Sequence, residues 1–233
     1  MKADEAIILV GGLGTRLRGV ISDVPKPLAS VAGRPFLAWV LDNLAKSGLR
    51  RVVLATGYLA EKVQLTVGSR WQGMEVAYAI EESPLGTGGA VRHAAAKLQG
   101  SAVHVINGDT FLSYSPQGLE IATRQLGAAI GIALAEVSDV SRYGAVDVVQ
   151  GRVNSFREKG HHGSGWINAG CYFLTAEALS MLPQEEAFSL ETSFLVPQAG
   201  QGKVAGFTDT DGFIDIGVPE DYRRAQTLFG GRA

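Results

Sequence analysis

The 233-residue sequence predicts an α/β fold, a Rossmann-like mixed and mainly parallel sheet with helices on both faces. Three observations predict it. Residues 6–10 (AIILV) are an almost wholly apolar run, of the length and composition of a strand buried on both faces. A glycine-rich turn, Gly11-Gly12-Leu13-Gly14, follows at once. As far as residue 107, strand-like runs then alternate with segments of helical period, which is the pattern of parallel strands joined by crossover helices.

Taken in order, Pro35 stands where a first helical turn tolerates proline, and Leu37, Val40, Leu41 and Leu44 recur at helical spacing up to Gly48. Arg51–Thr56 is a second strand, Ala60–Val67 a short helix, Met74–Ile80 a strand and 88–98 a helix with a glycine-rich start. The strand 102–107 is stopped by Gly108-Asp109. In the second half, strands at 128–136, 145–149, 153–157 and 166–174 have short links such as Gln150-Gly151, so antiparallel pairs extend the sheet. Helices at 176–181 and 190–195 precede a strand at Val204–Phe207. A last helix at 219–228 has Pro219 in its first turn and Glu220 and Asp221 at its positive end.

Composition narrows the function classes. A formal charge of −2 provides no field for nucleic acid or an anionic membrane, so basic residues must act locally. The single cysteine, Cys171, has no internal disulfide partner, which fits a reducing compartment, and it is expected in the core. The charged start at Lys2, Asp4 and Glu5, and the lack of an apolar run approaching about 18 residues, argue against a signal peptide or membrane span. A cytoplasmic protein is expected. With no internal repeat and no low-complexity linker, 1–233 reads as a single domain.

The first loop carries the clearest chemistry. Gly11, Gly12 and Gly14 let backbone N–H groups form an anion-binding nest, and Arg16 and Arg18 add charge beside it. Lys26, held between Pro25 and Pro27 in non-helical geometry, completes a polyphosphate site. Two familiar phosphate motifs fail here. A Walker A loop needs Lys-Ser/Thr where Thr15-Arg16 follows Gly14, and a dinucleotide fingerprint needs Gly or Ala where Leu17 stands.

Farther along, Asp109 in V-I-N-G-D-T-F ends a strand facing that nest, as a ligand for Mg²⁺ would. Asp215, flanked by Phe213, Ile214 and Ile216, needs a cation or a donor to offset its charge. In isolation Asp109 reads as a turn cap, Glu158-Lys159 as a surface ion pair and Gly170 as a β-bulge. The four histidines, His93, His104, His161 and His162, show no metal-ligand spacing; the pair at 161 and 162 reads as a mobile loop.

The pattern [LV]-x-G-G-x-G-T-R-[LM] over residues 9–17, with Pro25-Lys26-Pro27-Leu28 after it, resembles the sugar-1-phosphate nucleotidyltransferase family. The resemblance spans 6–226. It implies transfer of a nucleotidyl group from a nucleoside triphosphate to a sugar 1-phosphate. Residues 1–110 would mainly bind nucleotide and 111–233 mainly sugar phosphate. The nucleotide would be held by Leu9, Gly11, Gly12, Gly14, Thr15, Arg16, Glu81, Gly86 and Thr87, with Arg16, Lys26 and Asp109 catalytic. Asp109 and Asp215 would share one Mg²⁺. Glu158 would meet the sugar hydroxyls, Lys159 the sugar phosphate, Asn168 the sugar again, and Gly144 would admit the ligand to the backbone. The chain departs from the family at Gly160, where proline is common.

A carboxylate only accepts hydrogen bonds, and guanine offers two adjacent donors, so Glu81, or its neighbour Glu82, favours GTP. Within the family, W-I-N-A-G, F-S-L-E and F-I-D-I-G-V-P-E-D-Y look most like the branch that transfers GMP to manno-configured heptose 1-phosphates. Mannose 1-phosphate guanylyltransferases and uridylyl- or thymidylyltransferases are the rivals, with a silent sugar-nucleotide sensor as a non-enzyme alternative. No nucleic acid or membrane partner is implied, and monomer and homodimer both stay open.

Overall fold

The computed structural model describes residues 2–12 and 24–231. In chain order it has β1 (Glu5–Leu9), a 3-10 turn (Lys26–Leu28), the hairpin β2 (Ser30–Val31) and β3 (Arg34–Pro35), α1 (Phe36–Lys46), β4 (Arg51–Thr56), α2 (Ala60–Val67), β5 (Arg70–Trp71), β6 (Met74–Ile80), α3 (Gly86–Ala95), β7 (Val103–Asn107) and β8 (Thr110–Tyr114). There follow α4 (Pro116–Gln125), β9 (Ile130–Val137), β10 (Val146–Val149), β11 (Arg152–Phe156), β12 (Gly165–Leu174), α5 (Ala176–Ser180), a π-helical turn (Glu191–Leu195), α6 (Val196–Gly200), β13 (Val204–Phe207), β14 (Thr210–Asp215) and α7 (Pro219–Gly230).

One ten-stranded sheet runs in the order β10-β11-β13-β9-β12-β7-β1-β4-β6-β5. β7, β1, β4 and β6 are mutually parallel, and β9 pairs parallel with β13. β12 joins the two halves by running against both β7 and β9, and β11 and β5 also run against their neighbours. The apolar runs read as buried strands because each face has its own core. Ile8, Val52, Leu54 and Ile106 pack against α1, α2 and α7 through Leu37, Leu41, Val63 and Phe229. Ile7, Val53, Ala55 and Val105 point the other way, to Val91 and Ala94 of α3 and to Phe194, Leu195 and Ala199.

Several elements differ from the sequence reading. α3 begins at Gly86, two residues earlier than expected, because the 188–191 segment lies along its start: a Cβ on Gly86 would come 2.6 Å from the Phe188 carbonyl oxygen. The helix expected at 190–195 is a π-helical turn leading into α6, which carries Pro197 in its first turn. α4 was not expected, since Gly118 and the β-branched Ile121 and Thr123 weaken its helical propensity. Its start was nevertheless encoded: Ser115 accepts the Gly118 N–H at 3.0 Å and Pro116 opens the first turn. Among the described residues β8 and β14 pair only with each other, as a separate two-stranded sheet that local periodicity does not show. The short strands β2, β3 and β5 were also outside the sequence reading.

His104 on β7 is fully buried, tilted against Phe173 with ring centroids 5.2 Å apart, and among the described residues neither ring nitrogen has a hydrogen-bond partner. Burial, with a smaller push from Lys2, depresses its pKa from the ordinary 6.5 to about 3. The folded protein therefore keeps this imidazole neutral where the unfolded chain takes up a proton. Stability from this residue is complete above pH 6.5 and is lost as pH falls from there towards 3, by at most about 1.4 kcal/mol per pH unit. His104→Leu, followed by thermal melts from pH 8 to 4.5, is expected to flatten that acid limb. An unchanged limb would assign it to other groups.

Candidate active site

The carboxyl ends of β1, β4, β6 and β7 open on one side of the sheet, where a doubly wound fold places its ligand. A cavity of about 600 Å³ lies there, walled by Leu9, Gly11 and Gly12 after β1, Gly57 and Tyr58 after β4, 81–84 after β6, and Gly86, Thr87 and Ala90 of α3. Glu81 is half-buried while Glu82 is exposed. The Glu81 Oε2 accepts the Leu85 N–H at 3.2 Å, and its Oε1 lies where a Cβ on Gly11 would come within 3.1 Å. Burial raises the Glu81 pKa, and the Leu85 N–H and His93 partly offset this. A carboxylate on the wall of a cavity this size is the acceptor that a base with paired N–H donors needs.

The Thr87 hydroxyl turns away from the cavity. It donates to Glu191 Oε2 at 3.0 Å and accepts the Leu190 N–H at 2.8 Å. Thr87 and Gly86 therefore offer mainly backbone to a ligand.

A narrower cleft of about 170 Å³ continues from the cavity, shares Leu9, Gly11, Gly12 and Thr87 with it, and is walled further by Lys26, Pro27, Asn107 and Asp109. The 3-10 turn that carries Lys26 is pinned by buried Pro27 and Leu28. Its ammonium contacts Asp109 Oδ2 at 2.5 Å and Asp215 Oδ1 at 3.6 Å. The two aspartates meet because β14 pairs with β8 in the register Asp215↔Thr110, reinforced by the Ile216 N–H to the Asp109 carbonyl at 3.0 Å. Gly217 donates its N–H to Asp215 at 2.7 Å. Burial and then the Asp109 charge raise the Asp215 pKa, against the pull of Lys26. Two oxygen-donor carboxylates held around one positive charge, with one of them still short of compensation, fit the donor chemistry of a hard divalent cation that takes its remaining ligands from phosphate and water.

On the second half of the sheet, Gly144 has φ +82°, and a Cβ there would come 2.5 Å from the Arg157 carbonyl oxygen, so its backbone lies beside the Glu158 peptide. Glu158 and Lys159 are exposed, and among the described residues neither forms an ion pair. The 160–165 loop is tethered to the 139–141 turn. His162 Nδ1 lies 3.1 Å from Asp139, whose carboxyl is pulled down to about 2, first by the Ser141 N–H and then by His162. Asn168 lies just before a bulge at which the β12–β9 register shifts, with Gly170 at φ +69°. Its Nδ2 donates to Tyr172 at 3.0 Å and its Oδ1 accepts the Gly170 N–H at 3.0 Å. One amide N–H remains for a ligand.

The structure thus brings Leu9, Gly11, Gly12, Glu81, Gly86 and Thr87 around one cavity and Lys26, Asp109 and Asp215 around its extension. Gly14, Thr15, Arg16 and Arg18 lie outside the described residues. Sequence reasoning missed Asn107, whose buried Oδ1 has no partner among the described residues and whose amide occupies the space that Gly170 leaves by lacking a Cβ. It also missed Asp221. That buried carboxylate at the start of α7 takes Arg142 at 2.6 Å and so fixes the turn that carries Gly144. Asp221 stood within F-I-D-I-G-V-P-E-D-Y and at a helix start, but neither signal placed Arg142 beside it.

A protein-family model described as Nucleotidyl transferase matches residues 5–229. The D-glycero-alpha-D-manno-heptose 1-phosphate guanylyltransferase of Aneurinibacillus thermoaerophilus is 41% identical over 95% of this chain and 96% of its own. The protein of the same name from Campylobacter jejuni is 40% identical over 94% and 96%. The crystal structure of HddC from Yersinia pseudotuberculosis complexed with GMP-PN superposes with a TM-score of 0.83 at 38% identity, covering 97% of this chain and 99% of that one. With a cleft lined by Lys26 and Asp109 at the carboxyl ends of its parallel strands and a family match over residues 5–229, the chain belongs to the nucleotidyl transferase family.

Proposed function

We propose that the protein transfers GMP from GTP to D-glycero-α-D-manno-heptose 1-phosphate, giving GDP-heptose and pyrophosphate. The observation that carries this reading is Glu81, a half-buried carboxylate in the base cavity, in a chain about 40% identical over its length to two heptose 1-phosphate guanylyltransferases. Residues 1–110 mainly serve the nucleotide and 111–233 mainly the sugar phosphate.

An oxygen of the sugar phosphate attacks the α-phosphorus, a new P–O bond forms, and the bond to the β-phosphate's bridging oxygen breaks as pyrophosphate leaves. A phosphate monoester has a second pKa near about 6, so the nucleophile is already largely dianionic at neutral pH and needs no general base. What limits the reaction is repulsion between anions, alignment, and charge on the leaving group. On this reading Lys26 would meet the α-phosphate, Lys159 the incoming phosphate and Glu158 the sugar hydroxyls, while Arg16 and the loop amides would hold the β- and γ-phosphates. Asp109 and Asp215 would hold Mg²⁺, which supplies charge neutralisation at the phosphates.

Glu81→Gln is expected to lower kcat/KM for GTP by roughly 10–10², the scale of one hydrogen bond to a charged group. It should raise the relative rates with UTP and dTTP, because an amide both donates and accepts. A GTP preference that survives in this variant and falls in Glu82→Gln would move the reader by one residue.

The reading as a whole is tested with purified protein, Mg²⁺, each nucleoside triphosphate and a panel of sugar 1-phosphates, following pyrophosphate. GTP with the manno-heptose 1-phosphate should give the highest kcat/KM. Faster turnover of mannose 1-phosphate would change the sugar and keep the reaction. Failure with every pair would favour a sugar-nucleotide sensor.

A further inference from the structure

Between the base cavity and the sugar side runs a chain of hydrogen bonds centred on Glu191, at the start of the π-helical turn. One of its oxygens accepts the Thr87 hydroxyl at 3.0 Å and the Ser189 hydroxyl at 3.1 Å, and the other accepts the Tyr172 hydroxyl at 3.2 Å. Tyr172, fully buried on β12, itself accepts from Asn168 Nδ2 at 3.0 Å. At the other end the 188–191 segment is stitched along the start of α3. The Gly88 N–H reaches the Phe188 carbonyl at 2.9 Å, the Phe188 N–H the Leu85 carbonyl at 3.0 Å, and the Leu190 N–H the Thr87 hydroxyl at 2.8 Å. Among the described residues no lysine or arginine pairs with Glu191, so three hydroxyls carry its charge.

An ionised carboxylate can only accept, and this gives the whole chain one polarity. Thr87 must donate inward, which leaves its backbone for the nucleotide. Tyr172 must also donate to Glu191, so it has to accept from Asn168. That orients the Asn168 amide, with Oδ1 on the Gly170 N–H and one N–H free to donate to a sugar or phosphate oxygen. Burial, and after it the Glu191 charge, raise the Tyr172 hydroxyl well above its ordinary pKa, which keeps it a donor.

We propose that Glu191 is a positioning residue for nucleotidyl transfer: its carboxylate locks the base-side turn at Gly86–Thr87 to the sugar-side amide of Asn168, and so sets the two substrates relative to each other. The inference rests on the transferase reading above. In-line attack depends on that spacing, and misplacement by about 1 Å can cost about 10²-fold.

The test uses Tyr172→Phe, which removes only the linking oxygen, and Glu191→Ala, together with the double variant. Thr175→Ala, which uncaps α5 away from the site, serves as a control for simple destabilisation. Tyr172→Phe is expected to raise KM for the sugar phosphate about tenfold and leave KM for GTP within about twofold. Glu191→Ala should raise both and lower kcat roughly 10–10²-fold. The double variant should resemble Glu191→Ala alone, because both substitutions cut one chain. Kinetic constants for the single variants within about twofold of the parent, effects no larger than those of Thr175→Ala at equal Tm, or strictly additive losses would each overturn the proposal. A parent protein that turns over no sugar phosphate defeats the transferase reading instead, and calorimetric GTP binding then decides: weaker binding in Glu191→Ala supports the lock, and unchanged binding overturns it.

Discussion

Lys26→Ala is expected to lose roughly 10²–10³ in kcat, the cost of removing one preorganised donor from charge that develops in the transition state, with a smaller effect on KM for GTP. The geometry adds a second expectation of opposite sign. The Lys26 ammonium sits against both Asp109 and Asp215, so it competes with any divalent cation for the same oxygens. Removing it should therefore tighten Mn²⁺ or Mg²⁺ binding to the nucleotide-free protein. The gain should be up to about fivefold, which corresponds to about 1 kcal/mol, the upper end for a partly solvated ion pair. Slower turnover with tighter metal binding would separate a direct role at the α-phosphate from a role in assembling the metal site. Unchanged turnover would remove Lys26 from the mechanism.

The nucleotide half of the fold was legible because each of its buried strands is a local apolar run and each crossover helix has its own period. β1, β4 and β6 needed no distant information. The pieces that were not legible are those whose partners lie far away in sequence. β8 and β14 are half-polar strands that pair with each other across about a hundred residues, and nothing within either predicts the pairing. The site followed the same rule. Gly11, Gly12 and Lys26 stand out by local chemistry, whereas the meeting of Asp109 and Asp215 followed only from resemblance to a family. Glu191, within F-S-L-E, and Asp221, within F-I-D-I-G-V-P-E-D-Y, stood in motifs without a role of their own, because their partners Tyr172 and Arg142 are 19 and 79 residues away.

Losses of the same size are expected at the aspartate pair. Asp109→Asn and Asp215→Asn should each lower kcat by roughly 10²–10³ and raise the Mg²⁺ concentration needed for half-maximal rate, since each would remove one anionic oxygen from the proposed metal site. On the proposed reading both hold one ion, so the double variant should fall little below the worse single one, where independent roles would multiply to roughly 10⁴–10⁶. Stability should move the other way at Asp215. Burial and the nearby Asp109 charge raise its pKa in the folded state, so near neutral pH the ionised form is held at a cost that the unfolded chain does not bear. An amide of the same shape escapes that cost and still accepts the Gly217 N–H. Asp215→Asn should therefore melt at or above the parent temperature at pH 7, and its advantage should vanish as the pH is lowered below the range in which the parent carboxylate ionises. Strictly multiplicative kinetic losses would give the two aspartates separate tasks, and a lower melting temperature for Asp215→Asn would show that its ion pair with Lys26 outweighs the burial of its charge.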